Sequence, residues 1–225
     1  MKKILTVFLI FALSLTALCA CGGDDGNSNV DRVAAMYSNS NPKGLSANMT
    51  QYFGDKELRG TYTLVTGTVD GKAAAVYTAE YQRMRTVEEG ATSTIVPSVE
   101  TVSEVKEYIE GKGVRVNKTG QWDATAPSII PERGAIAINL DEEKMENVSY
   151  SNHVLSFSVK AENTESVLGT AISADVSVRI TDDGALITGV NLAWTLPANE
   201  EALEVETFTE IDIVYSYDYQ KIDIA

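Results

Sequence analysis

Apolar and polar positions alternate with a period of two over most of the chain, and this alternation predicts β-strands with one buried face and one solvated face. Residues 59–69 and 73–85 form a clear early pair, because Asp70-Gly71-Lys72 between them is a hairpin-turn signature. The second strand of the pair would carry four apolar residues on one face: Ala75, Tyr77, Ala79 and Tyr81.

The C-terminal third of the sequence shows the same alternation more strongly. Residues 176–180 and 186–196 flank a turn at residues 181–184, and residues 205–219 alternate for most of their fifteen positions. A strand of that length would reach roughly 50 Å if it were straight, because each residue adds about 3.3 Å. It must therefore curve or contain a bulge. We predict a mainly β protein (α+β), built as a strongly curved antiparallel sheet, or half-barrel, with a few short helices packed on or near its concave side.

Helical spacing is limited to short stretches. Residues 30–38 place apolar side chains three and four positions apart, which predicts a helix. Residues 99–109 fit a helix or a strand, and the turn Glu110-Gly111-Lys112-Gly113 with β-branched residues beyond it favours a hairpin. Single helical turns are predicted at residues 141–147 and 163–168, the second ended by a glycine.

The start of the chain has the pattern of a secretory signal peptide, with two lysines followed by an apolar run at residues 4–17. This run is shorter than the about 20 apolar residues that a membrane-spanning helix needs. The next four residues, Leu18-Cys19-Ala20-Cys21, resemble the bacterial lipobox, whose last cysteine is acylated and becomes the mature N-terminus. The resemblance implies a signal peptide at residues 1–20 and lipidation of Cys21. The alternative is an ordinary cleaved signal with incidental cysteines.

The charge of the mature chain limits its partners. Removal of residues 1–20 deletes two lysines and no acidic residue, which leaves 16 basic against 32 acidic residues and a formal charge of −16. This charge argues against nucleic acid as a partner. The expected partner is the membrane, held through two or more N-terminal acyl chains. We expect an extracytoplasmic protein, lipid-anchored to the cell membrane, with a flexible tether at residues 21–29 and one domain at residues 30–225.

The order of the predicted elements resembles the extracytoplasmic half-barrel lipoproteins, which include bacterial lipoprotein carriers and mycobacterial lipid-binding lipoproteins. The resemblance rests on the lipobox, the N-terminal helix, the long amphipathic strands, the tyrosine-rich closing strand, and the segment Tyr108-Ile109-Glu110-Gly111-Lys112-Gly113-Val114-Arg115-Val116 followed by Gln121-Trp122. It covers roughly residues 58–220, and what is shared is the pattern of elements and not a diagnostic motif. It implies a sheet around a hydrophobic hollow that holds acyl chains, with no catalytic residues.

Six aromatic residues are the candidate lining of such a hollow: Tyr62, Tyr77, Tyr81, Trp194, Tyr215 and Tyr217. On the concave side their rings would suit acyl chains or another apolar ligand, with the phenol hydroxyls near the rim. The same rings would also fill a closed core against the helices. We therefore expect a carrier or sensor of a lipid, or alternatively a non-enzymatic cell-surface interaction or envelope-structural lipoprotein with a closed core and an envelope protein as its partner.

Residue types that commonly carry catalysis are isolated in this sequence. His153 is the single histidine, so a multi-histidine zinc site is excluded, and its spacing supplies no catalytic partner. Asp182-Asp183-Gly184 fits a hairpin turn better than a calcium loop. The acidic clusters at residues 141–143 and 200–201 fit solvated surface better than a pair of catalytic carboxylates. No nucleophile elbow, phosphate loop or dinucleotide fingerprint occurs. We expect no enzyme, no metal and no cofactor.

Overall fold

The computed structural model describes residues 29–89, 94–130, 138–198 and 205–218, together with residues 222 and 224. These residues form two α-helices, ten strands and two 3₁₀ turns, the turns being Glu142–Lys144 and Ala161–Asn163. In chain order the helices and strands are α1 (Asn29–Asn39), β1 (Gly44–Phe53), β2 (Lys56–Val69), β3 (Lys72–Glu89), β4 (Thr94–Ile109), β5 (Gly113–Val116), β6 (Met145–Ser151), β7 (Val154–Val159), α2 (Thr164–Leu168), β8 (Val176–Asp182), β9 (Ile187–Leu196) and β10 (Thr207–Ser216).

The ten described strands form one antiparallel sheet in the order β5-β4-β3-β2-β1-β10-β9-β8-β7-β6. Two meanders, β1 to β5 and β6 to β10, meet at the centre of the sheet, where β1 pairs with β10 along the length of both strands. Strands β5 and β6 lie at the two edges, so the sheet is open. The prediction of a strongly curved antiparallel sheet with a few short helices is confirmed.

One face of the sheet, which we call the concave face, carries the helices and a continuous apolar surface. Strict alternation places the buried side chains there; in β8 every second residue from Val176 to Asp182 is buried. The strand register extends this face across the centre of the sheet. Five residues, each paired with the next on the adjacent strand, lie on this face in β9, β10, β1, β2 and β3: Leu192, Ile211, Met49, Gly60 and Tyr81.

Helices α1 and α2 cover the part of the concave face formed by β6 to β9. Val30, Val33 and Met36 recur at three-residue spacing on α1 and are buried, as expected for an amphipathic helix on a sheet. The helix predicted at residues 30–38 is therefore confirmed. We call the core beneath these helices the helix-covered cluster; its largest contributors from the sheet and α2 are Leu155, Phe157, Val159, Val167, Leu168, Val176, Val178, Ile180, Ile187, Val190 and Leu192.

The end of α1 is attached to the sheet by Ser40. Its hydroxyl donates to the Met36 carbonyl at 2.8 Å and accepts from the backbone N–H of Ile187 at 3.1 Å. One side chain thus satisfies a carbonyl of the last helical turn and a strand-end N–H. The contact fixes where α1 stops on the concave face.

The predicted turns have the backbone conformations that their residues favour. Asp70 and Gly71 adopt φ values of 53° and 75° between β2 and β3, as a type I′ hairpin requires. Gly169 ends α2 with φ 70°, the left-handed conformation common after a helix. Residues 99–109 form a strand that pairs with β5, so the hairpin prediction there is confirmed.

The structure differs from the predictions at three places. The helical turn predicted at residues 141–147 is a 3₁₀ turn at Glu142–Lys144 followed directly by strand β6. The long strand at residues 205–219 is shorter than predicted, because β10 is Thr207–Ser216 and Tyr219 lies outside the described residues. Strand β1 was not predicted. Its buried face carries Ala47, Met49 and Gln51. Met49 is the only large apolar side chain of these three, so the alternation of apolar and polar residues is weak, and Gln51 is satisfied by donating to the Thr209 hydroxyl at 3.0 Å.

Within the described segments, no helix has the length and apolar character needed to cross a membrane.

Candidate functional site

A second apolar cluster occupies the central part of the concave face, on β1, β2, β3 and β10. Its buried members are Ala47, Met49, Tyr62, Ala79, Tyr81 and Ile211, and we call it the aromatic cluster. Tyr77 and Trp194, both in the predicted set, pack against it and are partly exposed. All members that the structure describes come from strands, so neither α1 nor α2 contributes to this cluster.

The centre of the aromatic cluster is a pair of stacked rings. Tyr62 and Tyr81 lie with their centroids 6.1 Å apart and their planes at 15°. Gly60, which pairs with Tyr81, makes room for both rings, because a Cβ there would lie 2.9 Å from the Tyr62 ring and 3.0 Å from the Tyr81 Cβ. Met49 places its sulfur 3.9 Å from the Tyr62 hydroxyl. The result is a polarisable, flat-walled apolar surface.

The phenols of this cluster stay neutral at physiological pH. Burial raises the pKa of Tyr62, and the nearby phenols of Tyr77 and Tyr81 raise it further. Burial also raises the pKa of Tyr77, followed by the Glu104 carboxylate. For Tyr81, too, burial is the largest cause of a raised pKa. The cluster therefore offers apolar rings and uncharged hydroxyl groups to whatever contacts it.

Charged side chains border the aromatic cluster on its β4 side. Lys106, paired in register with Tyr77, binds Glu104 at 2.9 Å and holds its ammonium group 5.7 Å from the Tyr77 ring centroid. Arg83 of β3 and Glu100 of β4, which are paired in register beyond the Tyr81–Val102 pair, form a second ion pair. We call these four residues the ion-pair rim. The site thus passes from an apolar centre to a charged border across two strands.

The two remaining tyrosines of the predicted set lie elsewhere on the concave face. Tyr215 is 8% exposed and belongs to the helix-covered cluster. Tyr217 follows the end of β10 and donates a hydrogen bond from its hydroxyl to the Ile187 carbonyl. The structure therefore brings Tyr62, Tyr77, Tyr81 and Trp194 together but places Tyr215 and Tyr217 against α1.

His153 has a partner that its sequence neighbourhood did not reveal. Its Nδ1 lies 2.9 Å from Oδ1 of Asp182, whose other oxygen accepts from the Tyr150 hydroxyl at 2.9 Å. Burial would raise the pKa of Asp182, but hydrogen bonds from His153, Tyr150 and the Gly184 N–H outweigh it and lower the pKa. Arg32 of α1 lies 4.3 Å above the Tyr150 ring. These four side chains join the ends of two hairpins to α1, and we interpret their role as stabilising the fold.

The segment that carried the family resemblance forms a packed corner at the β5 edge. Glu107 is buried and binds Arg115 through Nη2 at 2.7 Å and Nε at 2.8 Å. The Arg115 guanidinium lies 4.8 Å from the Trp122 ring centroid. Val114 exchanges two backbone hydrogen bonds with Asp123. These contacts cover an edge strand that would otherwise present unpaired backbone groups.

The acidic residues singled out in the sequence act locally where the structure describes them. Asp141 accepts from the Glu143 N–H and binds Lys144 at 2.9 Å, which caps a 3₁₀ turn. Asp183 accepts from the N–H groups of Ala185 and Leu186 in the turn before β9. Across the described ranges, no three His, Cys, Asp or Glu side chains converge in a geometry that would hold a metal ion. Cys19, Cys21 and residues 200–201 lie outside the described residues.

Comparisons with known proteins find similarity among solved structures. Neither a scan against models of protein families nor a search of curated proteins finds a match for the sequence. Among solved structures, the chain is similar to a DUF1329 family protein from Desulfovibrio piger, with 10% sequence identity and a TM-score of 0.29. The alignment covers 86% of this chain and 93% of that chain.

Proposed function

We propose that this chain is a membrane-anchored extracytoplasmic lipoprotein that binds a lipid or another apolar ligand on the concave face of its half-barrel, as a carrier or sensor and without enzymatic activity. The observation that carries the proposal is the aromatic cluster. It places the Tyr62–Tyr81 stack, Met49 and the partly exposed rings of Tyr77 and Trp194 on a part of the face to which the described helices contribute no side chain. Flat and flexible apolar groups of this kind suit acyl chains.

A closed core is the second candidate, and one observation favours it. Tyr62 and Tyr81 are only 5% and 6% exposed, as rings in a filled interior would be. In that case the protein is a non-enzymatic interaction or envelope-structural lipoprotein, and an envelope protein is its partner. The two candidates differ in whether the purified chain carries lipid.

The first test is the lipid content of the full chain after purification from membranes and detergent exchange. Native mass spectrometry and solvent extraction are expected to find non-covalent lipid in excess of the amount carried by an unrelated lipid-anchored protein treated identically. Lipid content equal to that control would favour the closed core.

Tyr77→Ala is expected to weaken binding of the fluorescent acyl probe cis-parinaric acid about tenfold, because tyrosine is enriched among the few contact residues whose truncation costs more than about 1 kcal/mol. The matched control is Tyr52→Ala. Tyr52 is a partly exposed tyrosine on the other face of the same sheet, where it contacts Phe208. Energy transfer from tryptophan to the probe reports binding. Equal loss of affinity in both variants would contradict a site on the concave face.

Cys21→Ala is expected to yield protein that is unprocessed or released from the membrane, because the thiol is the group that the lipobox resemblance assigns to acylation. Cys19→Ala, two positions earlier, is the control and should leave lipidation intact. Labelling of cells with an alkyne fatty acid, followed by membrane fractionation, measures both properties. Acylated, membrane-bound Cys21→Ala protein would refute the assignment.

A further inference from the structure

Tyr37 carries a buried hydroxyl without a hydrogen-bond partner, the one such side-chain polar atom among the described residues. Buried polar groups in native proteins are nearly always paired with protein or water, and an exception calls for an explanation such as an unseen water or ligand. A phenylalanine in this position would provide the same ring without the unpaired group. Among the described residues, therefore, the hydroxyl has no partner, and a bound molecule could provide one.

The position of Tyr37 connects the two parts of the concave face. It lies in the last turn of α1, before the Ser40 attachment, and packs against the helix-covered cluster. Burial is the largest cause of its strongly raised pKa, and the phenols of Tyr215 and Tyr217 raise the pKa further. Tyr215 pairs in register with Leu45, and Leu45 contacts both the helix-covered cluster and the aromatic cluster.

The chemistry of a partner for Tyr37 follows from these surroundings. A tyrosine phenol is neutral at physiological pH, and burial raises the pKa of Tyr37 further. Its O–H group therefore donates one hydrogen bond and needs an acceptor oxygen. The side-chain groups that raise its pKa are the uncharged phenols of Tyr215 and Tyr217, so they provide no charge to balance an ionised headgroup. Leu45 and Ile213 are apolar and pack against both the helix-covered cluster and the aromatic cluster. An uncharged carbonyl or ester oxygen next to a hydrocarbon chain meets both conditions.

We propose that the Tyr37 hydroxyl donates a hydrogen bond to the ester or carbonyl oxygen of a bound acyl lipid whose chain lies along Leu45 and Ile213 onto the aromatic cluster. This inference rests on the proposed function and adds to it the class of ligand, an uncharged acyl ester, and the side of the site at which its oxygen is held. The ion-pair rim lies on the opposite, β4 side of the aromatic cluster. The end of the ligand with the acceptor oxygen therefore points toward α1.

The test compares two polyene probes that differ in the acceptor. The methyl ester of cis-parinaric acid has an ester carbonyl, and diphenylhexatriene has no oxygen. Affinities of the full chain for both probes are measured by energy transfer from tryptophan, in the same detergent at fixed concentration, so that partition into micelles cancels in the comparison of variants. Tyr37→Phe is expected to weaken ester binding about five- to tenfold and to leave diphenylhexatriene binding unchanged.

A control and a stability measurement separate this role from a structural one. Tyr52→Phe, which removes a phenol hydroxyl on the other face, should change neither affinity. Tyr37→Phe should not lower the melting temperature of the ligand-free chain, because it removes an unpaired buried group. An unchanged ratio of the two affinities in Tyr37→Phe, with both probes bound by the wild type, would overturn the anchoring role alone. If the wild-type chain binds neither of the two probes, both the proposed function and this inference are overturned.

Discussion

Arg115→Met is expected to lower the free energy of unfolding by about 3–5 kcal/mol, because it removes the partner of a buried carboxylate. The Glu107 side chain is 2% exposed and the Arg115 side chain 13% exposed, and two nitrogens of Arg115 lie within 2.8 Å of one Glu107 oxygen. Methionine keeps much of the aliphatic packing of arginine but supplies no charge or donor. The Glu107 carboxylate would then be buried without its arginine partner. Chemical denaturation measures the change.

Two further variants identify the cause. The double variant Glu107→Leu with Arg115→Met should recover to within about 1 kcal/mol of the wild type, since replacing both members of a buried pair by apolar groups is often neutral. Glu57→Ala breaks an exposed pair with Arg59, which water screens, and should therefore change the free energy of unfolding far less than Arg115→Met does. A double variant as unstable as Arg115→Met would show that the loss comes from packing against Trp122 instead of the unpaired charge.

Gly113→Ala is the second change with a large expected effect, a loss of about 3 kcal/mol in the free energy of unfolding. Gly113 has φ 88°, where an alanine is strained by about 1–2 kcal/mol. An added Cβ would lie 1.9 Å from the Asp123 carbonyl oxygen, so the backbone must move. That movement breaks the two hydrogen bonds between Val114 and Asp123, at about 1 kcal/mol each.

Gly54→Ala is the matched control for this change. Gly54 also has a positive φ, 57°, but an added Cβ there meets no atom within 4 Å, so only the backbone strain of about 1–2 kcal/mol remains. Thermal or denaturant unfolding of the two variants separates strain from collision. Equal losses in the two variants would mean that the Asp123 contact contributes nothing to stability.

The β5 edge of the sheet was predicted from the sequence only in part. Gly111, Gly113 and Trp122 stood out as a turn and an aromatic, and the hairpin they predicted is present. The contacts that hold these residues in place could not be predicted from the sequence. They are the pairing of Val114 with Asp123 and of Glu107 with Arg115. Both contacts depend on how a loop folds back over the strand.

The candidate site was predicted in part. Tyr62, Tyr77, Tyr81 and Trp194 were chosen because alternation places them on an apolar face, and they do meet at the aromatic cluster. Tyr215 shows the same alternation but lies beside α1. Alternation assigns a residue to a face of the sheet and says nothing about which part of that face a helix covers.

Other residues of the concave face gave little or no signal in the sequence. Met49 lies on β1, which was not predicted because its buried neighbours on the same face, Ala47 and Gln51, are small or polar. Tyr37 was assigned to the apolar side of a helix, where an unpaired hydroxyl cannot be distinguished from a paired one. Lys106 and Glu104 are charged residues in a segment that fitted either a helix or a strand. Only the register with β3 places them beside Tyr77 and Ala79.

The sequence by itself determined that the chain is a sheet of antiparallel hairpins with one apolar face, because local alternation and turn residues act between neighbours in the chain. The tertiary structure alone decided that β1 pairs with β10, more than 150 residues apart in the sequence. That pairing joins the two meanders and brings Met49 and Ile211 together with Tyr62 in one cluster. Its specificity lies in the fit of many backbone and side-chain groups across the two strands, and no short segment of the chain contains that information.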